Sequence, residues 1–247
     1  MKGSYFVIGD VHGCFEMLVR LITDWNPDNE QLIFLGDLID RGDRSREVVQ
    51  LAMKLNRDYG AMIIGGNHES MFLEWLDAPS AHTNFYYTAG GEQTLASFYD
   101  QQTVDMLLPE MLAEQLKQDY SEEIDFLRTL PDYMDEENYL FVHAGVNLDL
   151  KDWKNSGSQM FRTIREPFHH GVNKTGKTII FGHTPTRRIH PDKRDDIWVS
   201  PCKTKIGIDG AAVYGGKLHG LHLKENGECQ LTSIDANFTI TTDKFHL

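Results

Sequence analysis

Five short apolar runs, each closed by glycine and a side chain from the same narrow chemical set, constrain this chain more than any other feature. Tyr5-Phe6-Val7-Ile8 leads into GDVHG, Leu32-Ile33-Phe34-Leu35 into GDLIDRG, and Ala61-Met62-Ile63-Ile64 into GGNHE. Tyr139-Leu140-Phe141-Val142 leads into His143-Ala144-Gly145, and Thr178-Ile179-Ile180-Phe181 into Gly182-His183. Brief runs rich in β-branched and aromatic residues, bounded by glycine, predict buried strands. One Asp or His after a strand is commonly a turn residue or a packed group. Five strand ends that all carry Asp, Asn or His form a pattern of another kind. In open α/β sheets, ligands gather beyond the carboxyl ends of the strands, so these tips are expected to converge.

The stretches between the first strands read as helices. Phe15, Leu18, Val19 and Ile22 recur at helical spacing, as do Val48, Val49, Leu51, Ala52 and Leu55. Strand and helix in alternation predict a parallel sheet core. A further helix is expected over 69–76, with Met71, Phe72 and Trp75 inward. Residues 80–135 are helical and acidic, with Pro109 bending or splitting one helix and Ser121 placed to cap another. They read as an insertion within one domain spanning 1–247. After residue 205, KIGID, AVYGG, KLHGLHL, ECQLTSID and FTITT suggest short strands in a second, more antiparallel sheet.

The tips supply carboxylate, carboxamide and imidazole, and no thiolate. That donor set suits manganese, iron or zinc better than calcium or magnesium. Asp10 and His12 stand two apart, which puts both on one face of an extended segment. Asp37, Asn67, His143 and His183 bring the set to six, more than one catalytic ion uses while keeping an open position. Two ions sharing a carboxylate, roughly 3.5–4 Å apart, fit better and suit in-line phosphoryl displacement. Arg41 follows Asp37 by four residues and is expected over the same pocket, where a guanidinium grips two phosphoryl oxygens. Asp40 and His68 suggest a pairing in which the carboxylate orients the ring and the ring protonates a leaving oxygen.

Taken in order, GDVHG, GDLIDRG, GGNHE, HAG and GHTP resemble the metal-dependent phosphoprotein phosphatase family of the calcineurin-like metallophosphoesterase superfamily. The likeness is to its bacterial and phage branch, which includes bacteriophage lambda phosphatase, and it extends to the stretch YTAGGEQTL from Tyr87. The resemblance implies an α/β fold, a four-layer α/β/β/α sandwich with two central sheets and a dinuclear site in the cleft above them. It implies that Asp10, His12 and Asp37 hold one ion and that Asp37 bridges to a second held by Asn67, His143 and His183. Mn²⁺ is the first expectation, with iron or zinc as alternatives. Arg41 would grip phosphate, and His68, oriented by Asp40, would be the general acid. The second phosphate-binding arginine is expected in MFRTIREPF; Arg165 is preferred there, with Arg162 as competitor.

The activity so implied is a serine/threonine protein phosphatase that hydrolyses phosphoprotein or phosphopeptide directly with a metal-bridged hydroxide. Two alternatives stand beside it. One is symmetrical hydrolysis of diadenosine tetraphosphate or a related nucleotide, which Asp40-Arg41 and Glu69 disfavour by comparison with those hydrolases. The other is a metal-bound scaffold without activity. The net charge of −13 argues against a broad grip on nucleic acid. Three scattered cysteines and no apolar stretch of membrane-spanning length lead to the expectation of a cytoplasmic protein with no membrane partner.

Two motifs are decoys. GVNKTGKT at 171–178 fits the phosphate-binding P-loop pattern, yet it leads into a strand where a P-loop opens a helix. Cys14 to Arg20 has the spacing of cysteine phosphatases, but its filler is an apolar helix. His169, His170, His190, His219 and His222 follow no motif and are expected at the periphery.

Overall fold

In β1 (Ser4–Ile8), Tyr5 and Val7 join one buried cluster while Phe6 and Ile8 join another. This two-residue alternation sorts a strand's side chains onto opposite faces of a sheet. The same split sends Ile33 one way and Leu32 and Phe34 the other in β2 (Glu30–Phe34). A computed structural model, which describes residues 3–224 and 227–247, shows how the faces are covered.

β1 pairs in parallel with β2, and β2 with β3 (Met62–Ile63). The other side of β1 takes β9 (Lys217–Leu223), then β10 (Glu228–Asp235) and β11 (Ile240–His246), all antiparallel, giving six strands in the order β11-β10-β9-β1-β2-β3. A second sheet has the order β4-β5-β6-β8-β7. Its members are β4 (Tyr133–Asp135), β5 (Tyr139–Val142), β6 (Thr178–Phe181), β7 (Trp198–Val199) and β8 (Lys205–Gly207). Tyr5, Val7 and Ile33 meet Phe141, Ile180 and Ile206 between the two sheets.

Helices cover the outer faces. α1 (Phe15–Ile22), α2 (Ser45–Tyr59) and α3 (Asn67–Asp77) pack on the first sheet through Leu18, Val48, Val49 and Phe72. On the second sheet, α9 (Ser158–Thr163) and α10 (Glu166–His170) press Phe161 and Phe168 against Val142 and Phe181. The result is the expected α/β/β/α sandwich. The acidic segment forms α4 (Pro79–Thr88), α5 (Gly91–Phe98), α6 (Gln101–Met106), α7 (Pro109–Asp119) and α8 (Ser121–Arg128). Their apolar side chains, among them Tyr86, Leu95, Phe98 and Leu116, join the same cluster as α1–α3.

Several local expectations differ from the structure. The strands after residue 205 do not make a sheet of their own: β9–β11 extend the first sheet from the open side of β1, and β8 pairs in parallel with β6. Periodicity reports which face of a strand is buried and is silent about its partner. AVYGG is a 3₁₀ turn, Ala212–Tyr214, between left-handed Ala211 and Gly215. At Pro109 the structure agrees with the expectation and shows the split: proline takes the first position of α7, where no amide donor is needed. Ser121 lies inside α8, whose cap position is Tyr120.

The motifless histidines are mostly interior: His169, His190, His219 and His222 are buried. His222 shows why. Its Nδ1 lies 2.7 Å from Glu30 Oε1 and its Nε2 2.9 Å from Asp24 Oδ2. Burial opposes the imidazolium, but these two carboxylates overcome it and raise the pKa. A raised folded pKa gives stability that is full below the unfolded value of about 6.5 and is lost as pH rises through the folded value. Denaturant midpoints should therefore fall from neutral toward alkaline pH in the native chain. A His222→Gln chain should have a shallower slope, and an unchanged slope would refute the assignment.

Candidate metal centre

Three of the five tips sit on turns where the backbone has left its comfortable regions. Among the described residues, His12 (φ 44°), Asp37 (φ 49°), Asp40 (φ 72°), Arg41 (φ 71°) and His183 (φ 62°) are all left-handed, a conformation that side chains other than glycine rarely adopt. Such strain persists only where surrounding bonds over-determine it, and it gathers at functional sites. The bonds are present. Val11 and His12 amides donate to Asp37 O at 3.1 and 2.9 Å, tying the first tip to the second. Buried Glu69 accepts from the amides of Gly66 (2.8 Å), Asp37 (3.0 Å) and Leu38 (2.8 Å), tying the third tip to the second. Gly66 has to lack a side chain, since a Cβ there would stand 2.2 Å from Asp37 Oδ1.

Among the described residues, two groups of ligand atoms converge, each within 4.8 Å: His12, Asp37 and His68, and Asp37, His143 and His183. Asp37 belongs to both. Its Oδ2 lies 3.5 Å from His12 Nε2 and its Oδ1 3.3 Å from His143 Nε2. His12 Nδ1 donates to Ile39 O and His143 Nδ1 to Leu35 O, both at 2.8 Å, which turns each Nε2 toward the shared space. Asn67 Oδ1 is 3.1 Å from His143 Nε2. Asp10 is tied to the fifth tip. The segment around His12 is not extended, and both Asp10 oxygens accept the amide of His183 at 3.0 Å, so Asp10 stands outside the two tight groups.

Electrostatics follow from burial and crowding. Burial pushes His12 well below the usual imidazole range and His183 down to about 2, so both rings are neutral. Burial opposes ionisation of Asp37, but His143 and His68 hold it well below the carboxylate range. His143 is raised to about 9, because Asp37 overcomes its desolvation.

Arg41 Nη1 donates to His12 Nε2 at 2.6 Å and Nη2 to His68 Nε2 at 2.7 Å. His68 Nδ1 lies 2.7 Å from Asp40 Oδ2. Asp40 is wholly buried, and its Oδ1 accepts the hydroxyls of Tyr86 (2.8 Å) and Thr94 (2.7 Å). Both hydroxyls come from the helical segment, which therefore reaches the centre. Gly90 O accepts the Arg41 amide at 2.8 Å, and left-handed Gly90 presses against the Arg41 side chain. Arg165 Nη1 donates to Thr184 Oγ1 at 2.9 Å, beside His183. Arg162 is engaged elsewhere, with Asp132 at 2.8 Å and Ser70 Oγ at 2.6 Å. Arg165→Ala should therefore raise KM and lower kcat for a phosphate ester, while Arg162→Ala should mainly lower the melting temperature. Steady-state kinetics beside thermal unfolding would separate them, and the reverse pattern would exchange their roles.

Three residues of the pocket carry no role in the sequence reading. Asp209 is buried, its pKa pushed up to about 6 by burial, and its charge acts on Asp10 and Arg165. KIGID followed by glycine repeats the strand-end pattern, so a signal for it existed. Glu69 was legible only as part of its motif. Tyr214, whose ring lies 5.3 Å from the Arg41 guanidinium, had no signal. The two decoys are ordinary structure: Asn173 and Thr175 close a polar turn into β6, and Cys14 precedes α1 with its thiol raised to about 11 by burial.

The sequence profile of the calcineurin-like phosphoesterase family matches residues 4–216. The chain belongs to that family. Relatives named asymmetrical bis(5′-nucleosyl)-tetraphosphatase PrpE, from Bacillus cereus and Halalkalibacterium halodurans, are 25% and 26% identical, each match covering 98% of both chains. A solved structure provisionally described as a diadenosine tetraphosphatase superposes with a TM-score of 0.63 at 19% identity, covering 99% of this chain and 94% of that one. The cold-active protein-tyrosine phosphatase of a Shewanella species superposes at 0.56 and 18% identity, covering 98% and 80%. The named relatives thus differ from the phage phosphatase that the motifs resemble. A calcineurin-like phosphoesterase implies divalent ions, and three observations fit them here. His183 Nε2 is buried without a partner. The Asp37 oxygens face one group each. The buried carboxylates of Asp10, Asp37 and Asp209 crowd one another in a way that favours a bound cation.

Proposed function

We propose that this phosphoesterase hydrolyses dinucleoside polyphosphates asymmetrically, releasing a nucleoside monophosphate and a nucleoside triphosphate when given a tetraphosphate. The observation that carries the reading is the match to named tetraphosphatases along 98% of both chains. Two divalent ions, manganese before iron or zinc, held by Asp10, His12, Asp37, Asn67, His143 and His183, would supply Lewis acidity toward water and phosphoryl oxygen. The protein's own groups do the rest. Arg41 at the His12–His68 group and Arg165 beside His183 stand where a phosphoryl group lying across both groups would meet each of them, and they offset the charge on its oxygens. With Arg41 on phosphate, His68 Nε2 carries the proton for the departing oxygen, and Asp40 holds the ring through Nδ1. Free thiols at Cys14, Cys202 and Cys229 suit a reducing cytoplasm. Among the described residues, no helix is long and apolar enough to cross a membrane.

One observation favours phosphoserine or phosphothreonine in a protein as a second reading. A buried Asp–His pair is of most use where the leaving group is a poor one, such as an alkoxide. The full set of candidate ligands weighs against an inactive scaffold. Turnover of diadenosine tetraphosphate, a phosphoserine peptide and an aryl phosphate should be compared on one manganese-loaded preparation, with products separated by chromatography. Efficient cleavage of the dinucleotide to mono- and triphosphate is expected. Turnover of the peptide with an intact dinucleotide would transfer the assignment to the second reading.

A further inference from the structure

We propose that the groove leading away from Arg41, between α1 and the β10–β11 hairpin, seats a nucleoside end of the substrate, with Phe238 as its stacking face. This rests on the dinucleotide reading above. Two cavities, of about 490 and 400 Å³, share Glu16 and Phe238 and so run together. Arg41, Cys14 and Val213 line the inner one; Phe15, Val19, Arg20 and Arg44 line the outer one. Arg41 is common to the groove and to the metal centre. A phosphate chain held there has a continuous path into the groove, and each cavity has the size of a small-molecule site.

The chemistry of the outer part suits a base joined to phosphates. Two arginines edge this groove beside Glu16 and Asp43; Arg44 is paired with Glu16 and Glu47, and among the described residues Arg20 forms no ion pair with a carboxylate. Arg20 lies 5.8 Å from the centre of the Phe238 ring, and Arg44 lies 4.6 Å from that of Phe15. Aromatic faces and guanidinium planes are the surfaces on which nucleobases stack. Phe238 is held there against its own preference. It is left-handed (φ 60°) and 39% exposed, which is an outlier for a bulky side chain. The hairpin enforces this conformation: Asp235 Oδ1 accepts the amides of Asn237 and Thr239, both at 2.9 Å, and Asp235 O accepts that of Phe238 at 2.9 Å. A backbone strained to hold a ring at the surface adds little to the core, and such strain gathers at ligand sites.

The test is inhibition of aryl phosphate turnover, comparing diadenosine tetraphosphate with inorganic tripolyphosphate, which has no nucleoside. In the native chain the dinucleotide should inhibit about tenfold more tightly, the scale of one base stacked on an aromatic ring. In Phe238→Ala the ratio of the two constants should fall toward one, Phe238→Trp should restore it, and Arg20→Ala should lower it. The tripolyphosphate constant reports an intact centre within each variant. A native ratio near one overturns the proposal, as does a ratio unmoved by both Phe238→Ala and Arg20→Ala. Failure of the catalytic reading looks different: the dinucleotide inhibits with the expected ratio and is recovered uncleaved.

Discussion

Asp37→Ala should lose both divalent ions together and, with them, on the order of 10³-fold or more of phosphoester turnover, the equivalent of several kcal/mol of charge stabilisation. The expectation follows from position. Asp37 is the residue common to both ligand groups, with Oδ2 toward His12 and Oδ1 toward His143. Replacing His183 should impair one group and spare the other, so a graded loss is expected there. Asp37 also accepts the His68 amide at 3.1 Å, so its removal could act through the fold. Asp37→Asn controls for this, because a carboxamide keeps the shape and one acceptor while losing the charge. Ion stoichiometry after manganese loading, measured beside circular dichroism, decides the matter. Two ions retained in a folded Asp37→Ala chain would refute the bridge.

The second large effect depends on the leaving group. His68→Asn should slow hydrolysis of an alkyl phosphate by about 10²–10⁴-fold, the range of general acid catalysis. It should slow cleavage of a dinucleoside polyphosphate far less, since a phosphate oxygen departs readily without a proton. His68 suits this role by geometry. Its ring is fixed through Nδ1 by Asp40, which is itself fixed by Tyr86 and Thr94, leaving Nε2 toward the centre. Rates across a series of phosphate esters of rising leaving-group basicity would show a steeper slope in the variant. Parallel slopes would leave His68 as a residue that merely shapes the pocket.

Much of this centre was legible before any fold was known. Glycine followed by a polar ligand marks a strand end, and the strand ends of an α/β sheet share one edge. That was enough to gather Asp37, His143 and His183, and to pair Asp40 with His68. What stayed hidden was orientation and support. Spacing could not reveal that Asp10 would accept the His183 amide, nor that Tyr86 and Thr94 would buttress Asp40 across 46 and 54 residues of chain. Sheet membership of β9–β11 was hidden too, since a strand's pattern names its faces and leaves its neighbour open. Substrate choice is harder still, because one scaffold supports many reactions and specificity resides in side chains at the rim. Phe238 and Tyr214 lie in FTITT and AVYGG, which read as strands, whereas Phe238 falls in the turn before β11 and Tyr214 in a 3₁₀ turn.

The centre also straddles a seam. Asp37 and His12 extend from the first sheet, whereas His143 and His183 extend from the second. An ion held between them therefore rivets one half of the sandwich to the other. Any ligand that the native state alone can hold raises the free energy of opening by mass action. Ions held there would thereby also lock the two halves shut, so stripping them from the protein should leave a looser molecule.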